Sequence, residues 1–328
     1  MKKQDIKRIA VFTSGGDAPG MNAAIRAVVR SANFYDLHVY GIYGGYDGMI
    51  KGELVRMDKR DVGNIIHRGG TILKTARSKE FMTPEGRKAA YESLMAYDID
   101  GLVAIGGDGT YTGAMVFGNE HDIPIIGLPG TIDNDIFGTD YTIGFDTAVN
   151  TAIEAVDRIR DTADSHNRLF FIEVMGRHSG FIALYTGIAS GAGNIFLPET
   201  ETTVDKLIDL LRKSIKRKKL FNLVIVAEGN RNGGASELAD AVNRAIPDFE
   251  TKVTIIGHLQ RGGSPTCNDR VLASRLGYHA VEALLNGKRG VALGVVNKGV
   301  SYTPFEEAIN NNKPLDPDHV KLAEILAL

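Results

Sequence analysis

Short apolar runs recur along this chain, and most of them end in glycine. "RIAVFT" leads into "SGGDAPG", "DGLVAI" into "GGDGT", "IPIIGL" into "PGTIDND" and "RLFFIEV" into "MGRHSG". "HVYGIYGG", "NLVIVAEGN" and "KVTIIGHLQRGG" follow the same grammar. The runs do not alternate apolar and polar residues, so each strand is expected to be buried on both faces. Amphipathic, helix-length stretches lie between them, one from about Thr147 to Asp161. Strands alternating with helices predict parallel βαβ units. The expected fold class is therefore α/β, with two three-layer lobes, largely parallel sheets and a change of lobe near residue 143. Open parallel sheets bind ligands beyond the carboxyl ends of their strands. An active site is expected at those ends, between the lobes.

Composition narrows the function. The chain has 328 residues, 43% hydrophobic and 24% charged, the mix of a globular protein with a large core. A formal net charge of -2 supplies no general field for nucleic acid or an anionic membrane, so anions must be met in local pockets. The single cysteine, Cys267, excludes an intrachain disulfide and a Cys-rich zinc site. One thiol and no secretory signal point to the cytoplasm. No apolar run approaches the ~20 residues of a membrane span. The expected partners are small molecules, with no nucleic acid and no membrane.

The polar residues at the strand ends carry the candidate chemistry. In "SGGDAPG" two glycines let backbone approach a ligand, and the next helix N-terminus offers N–H donors to a phosphate; a plain tight turn explains the same pattern. In "IGGDGT" glycines surround Asp108, where a carboxylate can hold Mg²⁺ or cap a helix. "PGTIDND" brings Asp133, Asn134 and Asp135 together. An extended segment would put Asp133 and Asp135 on one face and Asn134 on the other. A kinase needs a carboxylate to accept the proton of its acceptor hydroxyl; an Asx-turn with solvated carboxylates is the alternative. Arg177 follows a strand and suits a phosphoryl oxygen. His258 and Arg261 stand three apart after another strand, and Glu228 ends "LVIVAEG". The cations Lys216 to Lys219 fit a solvated helix C-terminus or an anion pocket, which Arg26 and Arg30, one helical turn apart, could share.

Taken together, "SGGDAPGMNAAIR", "RGGTILKTARS", "IGGDGTYTGA", "PGTIDNDIFGTDYTIGFDTA", "EVMGRHSG" and "GHLQRGGSP" cover nearly the whole chain in order. In these motifs the chain resembles the bacterial-type ATP-dependent 6-phosphofructokinases. The resemblance implies transfer of the γ-phosphoryl of ATP to the 1-hydroxyl of fructose 6-phosphate, with Mg²⁺ as cofactor. It implies an ATP-binding lobe over residues 1–143 plus 256–306 and a fructose 6-phosphate lobe over 144–255 plus 307–328. Asp133 is then the base, Thr131 and Arg177 steady the phosphoryl group, and Asp135 supports the electrostatics. Asp108 serves the metal. Gly15, Arg77, Ser78, Gly107, Asp108, Gly109 and Thr110 cradle ATP. Met175, Gly176, Glu228, His258 and Arg261 hold the sugar. Arg168 and Lys252 reach its 6-phosphate from a neighbouring subunit, since the family is usually homotetrameric. Arg26, Arg30, Lys59, Arg160, Arg217 and Lys219 match its basic effector site.

Departures from the family pattern shape further expectations. The family commonly has Arg at the position of Lys252; lysine keeps the charge and loses the bidentate fork, so weaker or less cooperative sugar-phosphate binding is expected. Ser78 replaces an aromatic residue. Gly193 replaces a carboxylate that helps hold the effector's metal, so ADP is expected to activate weakly or not at all. Two other readings compete. Pyrophosphate-dependent relatives carry Asp at Gly109 and Lys at Gly130, and both are glycine here, which favours ATP. A non-catalytic sugar-phosphate sensor would lose the base or the metal carboxylate, and this chain keeps Asp133, Asp108 and Arg177.

Overall fold

The computed structural model describes residues 6–166, 168–216, 223–247 and 250–327. The chain forms two compact units. The first holds the residues up to Ile132, then Ile136–Thr147 and Arg261–Lys313; the second holds Asp133–Asp135, Ala148–Gln260 and the chain from Pro314 onward. The sequence reading put the crossings near residues 143, 255 and 306.

The first stretch alternates β1 (Arg8–Thr13), α1 (Met21–Phe34), β2 (His38–Ile42), α2 (Gly45–Ile50), β3 (Leu54–Met57), α3 (Pro84–Ala96), β4 (Gly101–Gly106), α4 (Asp108–His121), β5 (Ile125–Thr131) and β6 (Ile143–Gly144). Next come α5 (Phe145–His166), β7 (Leu169–Val174), α6 (Phe181–Ser190), β8 (Asn194–Phe196), α7 (Val204–Lys216), β9 (Leu223–Ala227), α8 (Ala235–Ala245) and β10 (Thr251–Ile255). The chain closes with α9 (Cys267–Leu285), β11 (Val291–Val296), β12 (Gly299–Pro304), α10 (Phe305–Asn310) and α11 (Pro317–Leu326). α5 is longer at both ends than the Thr147-to-Asp161 stretch expected.

In the first unit the strand order is β12-β11-β5-β4-β1-β2-β3, with β6 beside the end of β5. The five inner strands are parallel, and an antiparallel strand closes each edge. β11 returns as β12 through Asn297 and Lys298, both at positive φ, the backbone that a two-residue hairpin needs to match strand twist. Alternate residues serve alternate faces. Ala10, Phe12, Leu102 and Ala104 join a core with Tyr46, Met49, Leu94, Tyr111, Phe117 and Phe305 from the helices of one face. α1 and α9 cover the other, and they pack so closely that a Cβ on Gly277 would lie 2.7 Å from that of Ala27.

The second unit has a four-stranded parallel sheet, β10-β7-β9-β8. Leu169, Phe171, Val224 and Val226 pack on Leu207, Leu211, Leu238 and Val242 of α7 and α8. β7 and β9 are buried on both faces, as the pattern required, except for half-buried Glu173. β10, an edge strand, is not: Val253 is 38% and Ile255 59% exposed, and two residues apart they share one face. An unalternated apolar run reports low polarity, and here that surface is left open on an edge.

Two local expectations change at the opening of "PGTIDND". β5 does not stop at Pro129-Gly130 but continues to Thr131. Proline normally interrupts an inner strand because it lacks an N–H. Here β11 registers with Ile126 and Gly127, and β6 with Gly130 and Thr131, so Pro129 falls in the gap between these pairings. Beyond Thr131 the chain bends rather than extends. Asn134 sits at φ 55 and is 1% exposed. Alternation along an extended strand therefore does not hold for Asp133–Asp135. Asparagine is among the few residues that tolerate this left-handed backbone.

Candidate active site

The carboxyl ends of β1, β4 and β5 build a cradle in the first unit. After β1 the chain turns through Ser14-Gly15-Gly16. The Ser14 N–H donates to Ile105 O at 3.0 Å, and Thr110 Oγ1 donates to Ser14 O at 3.2 Å. Gly106 has no room for a side chain, since a Cβ there would collide with Thr110 and Ser14. The turn is thereby pulled down beside the start of α4. Tyr46, its hydroxyl held up in pKa by burial, donates to Thr110 O at 2.6 Å from below. Thr131 stands beside Gly107: a Cβ on Gly107 would lie 3.8 Å from that of Thr131. Asp108 and Gly109 are exposed on the first turn of α4, and nothing lies within 4 Å of where a Gly109 Cβ would be. Asp108 is close enough that its charge, after burial, helps raise the pKa of Tyr111.

The segment 71–78 crosses this cradle. Thr13 Oγ1 donates to Lys74 O at 2.9 Å, and Thr75 Oγ1 to Gly15 O at 2.7 Å, which brings exposed Arg77 beside the turn. Ser78 serves locally, its hydroxyl accepting the Phe81 N–H at 3.2 Å. Asn22, 1% exposed, pins the same segment by donating to Arg68 O and Gly69 O and accepting from Ile72 N. Arg261 also belongs here. Its Nη1 donates to Asp17 O at 3.2 Å and lies 2.5 Å from a Cβ position on Gly16.

The second unit gathers another cluster at the carboxyl ends of β7, β9 and β10. Met175 is buried, and its N–H donates to Gln260 Oε1 at 2.8 Å. Gly176 lies at φ 132, a backbone that side chains rarely adopt, and it frees the chain to double back on Ser179. Its carbonyl accepts the Gly229 N–H, and the Val174 carbonyl accepts that of Glu228. The exposed side chains of Arg177, Glu228 and His258 thus stand on adjoining strand ends. Asp133 joins them through its carbonyl, which accepts the buried Ser179 hydroxyl at 2.7 Å; Asp133 and Asp135 are both half-buried.

Arg168 and Lys252 are not brought to this cluster. They lie at the opposite, amino ends of β7 and β10. The six residues of β7 separate Arg168 from Met175, roughly 20 Å. Arg26 and Arg30 sit together on α1, where burial and then Arg30 lower the pKa of Arg26. Lys59 is exposed after β3, and Arg160 is half-buried on α5. Arg217 and Lys219 lie outside the described residues. Gly193 spends its N–H on Leu223 O at 3.0 Å.

Sequence reading missed the residues that hold these loops. Gln260 is fully buried, and Nε2 donates to Ala148 O while Oε1 takes Met175. Asp269 is 1% exposed and accepts from Gly144 N, Thr147 N and Thr147 Oγ1. Burial raises its pKa, against these hydrogen bonds. Both stand inside or beside "GHLQRGGSPTCND", but only their partners reveal their roles.

Among the described residues, no three His, Cys, Asp or Glu side chains gather to hold a metal, and no helix is long and apolar enough to cross a membrane. Magnesium needs no such cage. It binds through one or two carboxylates plus phosphate oxygens and water. Exposed Asp108, beside open space at Gly109, fits that manner of binding.

Comparison with known proteins supplies the deciding observation. Residues 8–284 match the model of the family described as Phosphofructokinase. The chain belongs to the phosphofructokinase family. It is 58% identical over 323 residues to the ATP-dependent 6-phosphofructokinase 1 of Thermus thermophilus, covering 98% of this chain and 100% of that one. Among solved structures, Pichia pastoris phosphofructokinase in the T-state superposes with a TM-score of 0.87 at 39% identity, over 93% of this chain and 36% of that one. The pyrophosphate-dependent phosphofructokinase of Marinobacter aquaeolei gives 0.85 at 25% identity, over 98% and 92%. The phosphofructokinase fold therefore does not choose the phosphoryl donor by itself, and the choice must rest on residues. The two glycines singled out for it differ here. A Cβ at Gly109 meets open space, whereas one at Gly130 would lie 2.9 Å from both Ile105 Cγ2 and Met21 Cε.

Proposed function

We propose that this phosphofructokinase transfers the γ-phosphoryl group of ATP to the 1-hydroxyl of fructose 6-phosphate, giving fructose 1,6-bisphosphate and ADP. The observation that carries the reading is end-to-end identity of 58% to a relative named for ATP, in a chain that keeps Asp133, Asp108 and Arg177. The first unit serves ATP and lends Arg261 to the sugar, and the second serves the sugar phosphate.

Asp133 accepts the proton of the 1-hydroxyl as the oxygen attacks phosphorus. Thr131 and Arg177 bind the oxygens of the phosphoryl group in transit, and Asp135 tunes the local charge. Gly15, Arg77, Ser78 and the Gly107–Thr110 turn receive the nucleotide, with the α4 N-terminus favouring its negative charge. Asp108 would hold Mg²⁺, which when bound offsets charge on the phosphates. Met175, Gly176, Glu228, His258 and Arg261 orient the sugar. Arg168 and Lys252 receive its 6-phosphate in a neighbouring copy, which the strand length between Arg168 and Met175 favours over service within one protomer. The enzyme then works as a homotetramer in the cytoplasm, with effector anions meeting Arg26, Arg30, Lys59, Arg160, Arg217 and Lys219.

An aldolase-coupled assay with fructose 6-phosphate, run with ATP and with pyrophosphate, tests the reading. Turnover with ATP is expected; turnover with pyrophosphate alone overturns the donor.

A further inference from the structure

The two cations assigned to the 6-phosphate are already engaged. Arg168 precedes β7 and Glu250 precedes β10, and the strands register Leu169 against Thr251. The Leu169 N–H donates to Glu250 O at 3.1 Å, so backbone pairing sets the two side chains next to each other. Lys252 lies two residues on and therefore shares the face of Glu250. Arg168 Nε donates to Glu250 Oε2 at 2.8 Å, and Lys252 Nζ meets Glu250 Oε1 at 2.9 Å. One carboxylate thus offers a separate oxygen to each cation, as a phosphoryl group would. The hydrogen bonds of Arg168 and then Lys252 hold the Glu250 carboxyl below its ordinary pKa.

We propose that Glu250 is an internal stand-in for the substrate's 6-phosphate, and so sets the affinity for fructose 6-phosphate. This rests on the assignment of the 6-phosphate to Arg168 and Lys252. All three side chains are between 30% and 51% exposed, so the bridge is one that a competing anion can open. A phosphate monoester brings nearly two charges and three acceptor oxygens against one charge and two oxygens. It displaces the carboxylate, but the exchange weakens net binding. Between substrates the carboxylate keeps two neighbouring cations from repelling each other. It is a specificity device, since a weak or singly charged anion gains little by replacing a carboxylate.

Glu250→Gln is the test. The amide offers a carbonyl oxygen to one cation and turns N–H donors toward the other. Half-saturation by fructose 6-phosphate is expected to fall about twofold to fivefold, the scale of an exposed charge interaction, with half-saturation by ATP as internal reference. Inorganic phosphate, competing with fructose 6-phosphate, should inhibit Glu250→Gln at lower concentration than the parent. A half-saturation that is unchanged or higher overturns the proposal. Glu250→Ala, which removes both oxygens, should shift it in the same direction. Arg168→Ala separates the two levels. If it leaves fructose 6-phosphate half-saturation unmoved, the 6-phosphate assignment fails. If it raises half-saturation while Glu250→Gln does not lower it, only the role of Glu250 fails.

Discussion

Asp133 and Gly109 carry the reaction's two choices, who takes the proton and which donor is accepted. Asp133→Ser removes the base and its charge while leaving the backbone carbonyl that Ser179 holds. Turnover is expected to fall by ~10²–10⁴-fold, with fructose 6-phosphate still bound; near-normal turnover would remove Asp133 from the mechanism. Gly109→Asp is sterically permitted, since no atom lies within 4 Å of the added Cβ. Its charge faces the proposed nucleotide phosphates, so half-saturation by ATP is expected to rise roughly tenfold or more, with melting temperature little changed. Steady-state kinetics beside a thermal melt check both halves. Gly130 has a packing reason as well as the donor logic, because Ile105 and Met21 already occupy the space of any side chain.

At the scale of elements, strand ends followed by glycine were legible because a buried run and a turn residue need no distant partner to be recognised. "RIAVFTSGG", "DGLVAIGGDG" and "RLFFIEVMG" became β1, β4 and β7 with their loops. The bend at Asn134 was not legible. It comes just after β5 pairs with β6 through Gly130 and Thr131, a contact with residues 143–144 that no local pattern announces. The start of α9 was equally hidden. Asp269 stitches Gly144 and Thr147 to that helix through three hydrogen bonds. Asp269→Asn leaves one acceptor oxygen where two worked, and is expected to cost about 1–3 kcal/mol of stability, read by denaturant titration. The sign of its pH dependence follows from the raised native pKa. The unfolded chain releases this proton first, so stability from this group is full below the ordinary Asp range and is lost as pH rises through the native value. Asp269→Asn should flatten that part of the profile.

For the whole molecule, the proposed homotetramer makes a mixing prediction. If Arg168 of one copy completes a site whose Asp133 belongs to another, Arg168→Ala and Asp133→Ser proteins are each weak alone. Co-refolded, they should form some sites free of both changes and recover activity well above either parent. Strictly additive activity would mean that each protomer works with its own Arg168. The roughly 20 Å of strand between Arg168 and Met175 is the reason to expect recovery.

The sequence by itself determined the α/β class, the parallel strands and the family, because burial pattern and ordered motifs are local and survive reading in one dimension. It also identified Asp108, Asp133 and Arg177 as the groups to watch. Only the tertiary structure decided that Gln260 and Asp269 hold the loops, that β10 is an exposed edge, and that Glu250 occupies Arg168 and Lys252. Those facts depend on which strands become neighbours. Neighbours 82 residues apart, such as Arg168 and Glu250, leave no periodic mark on the chain.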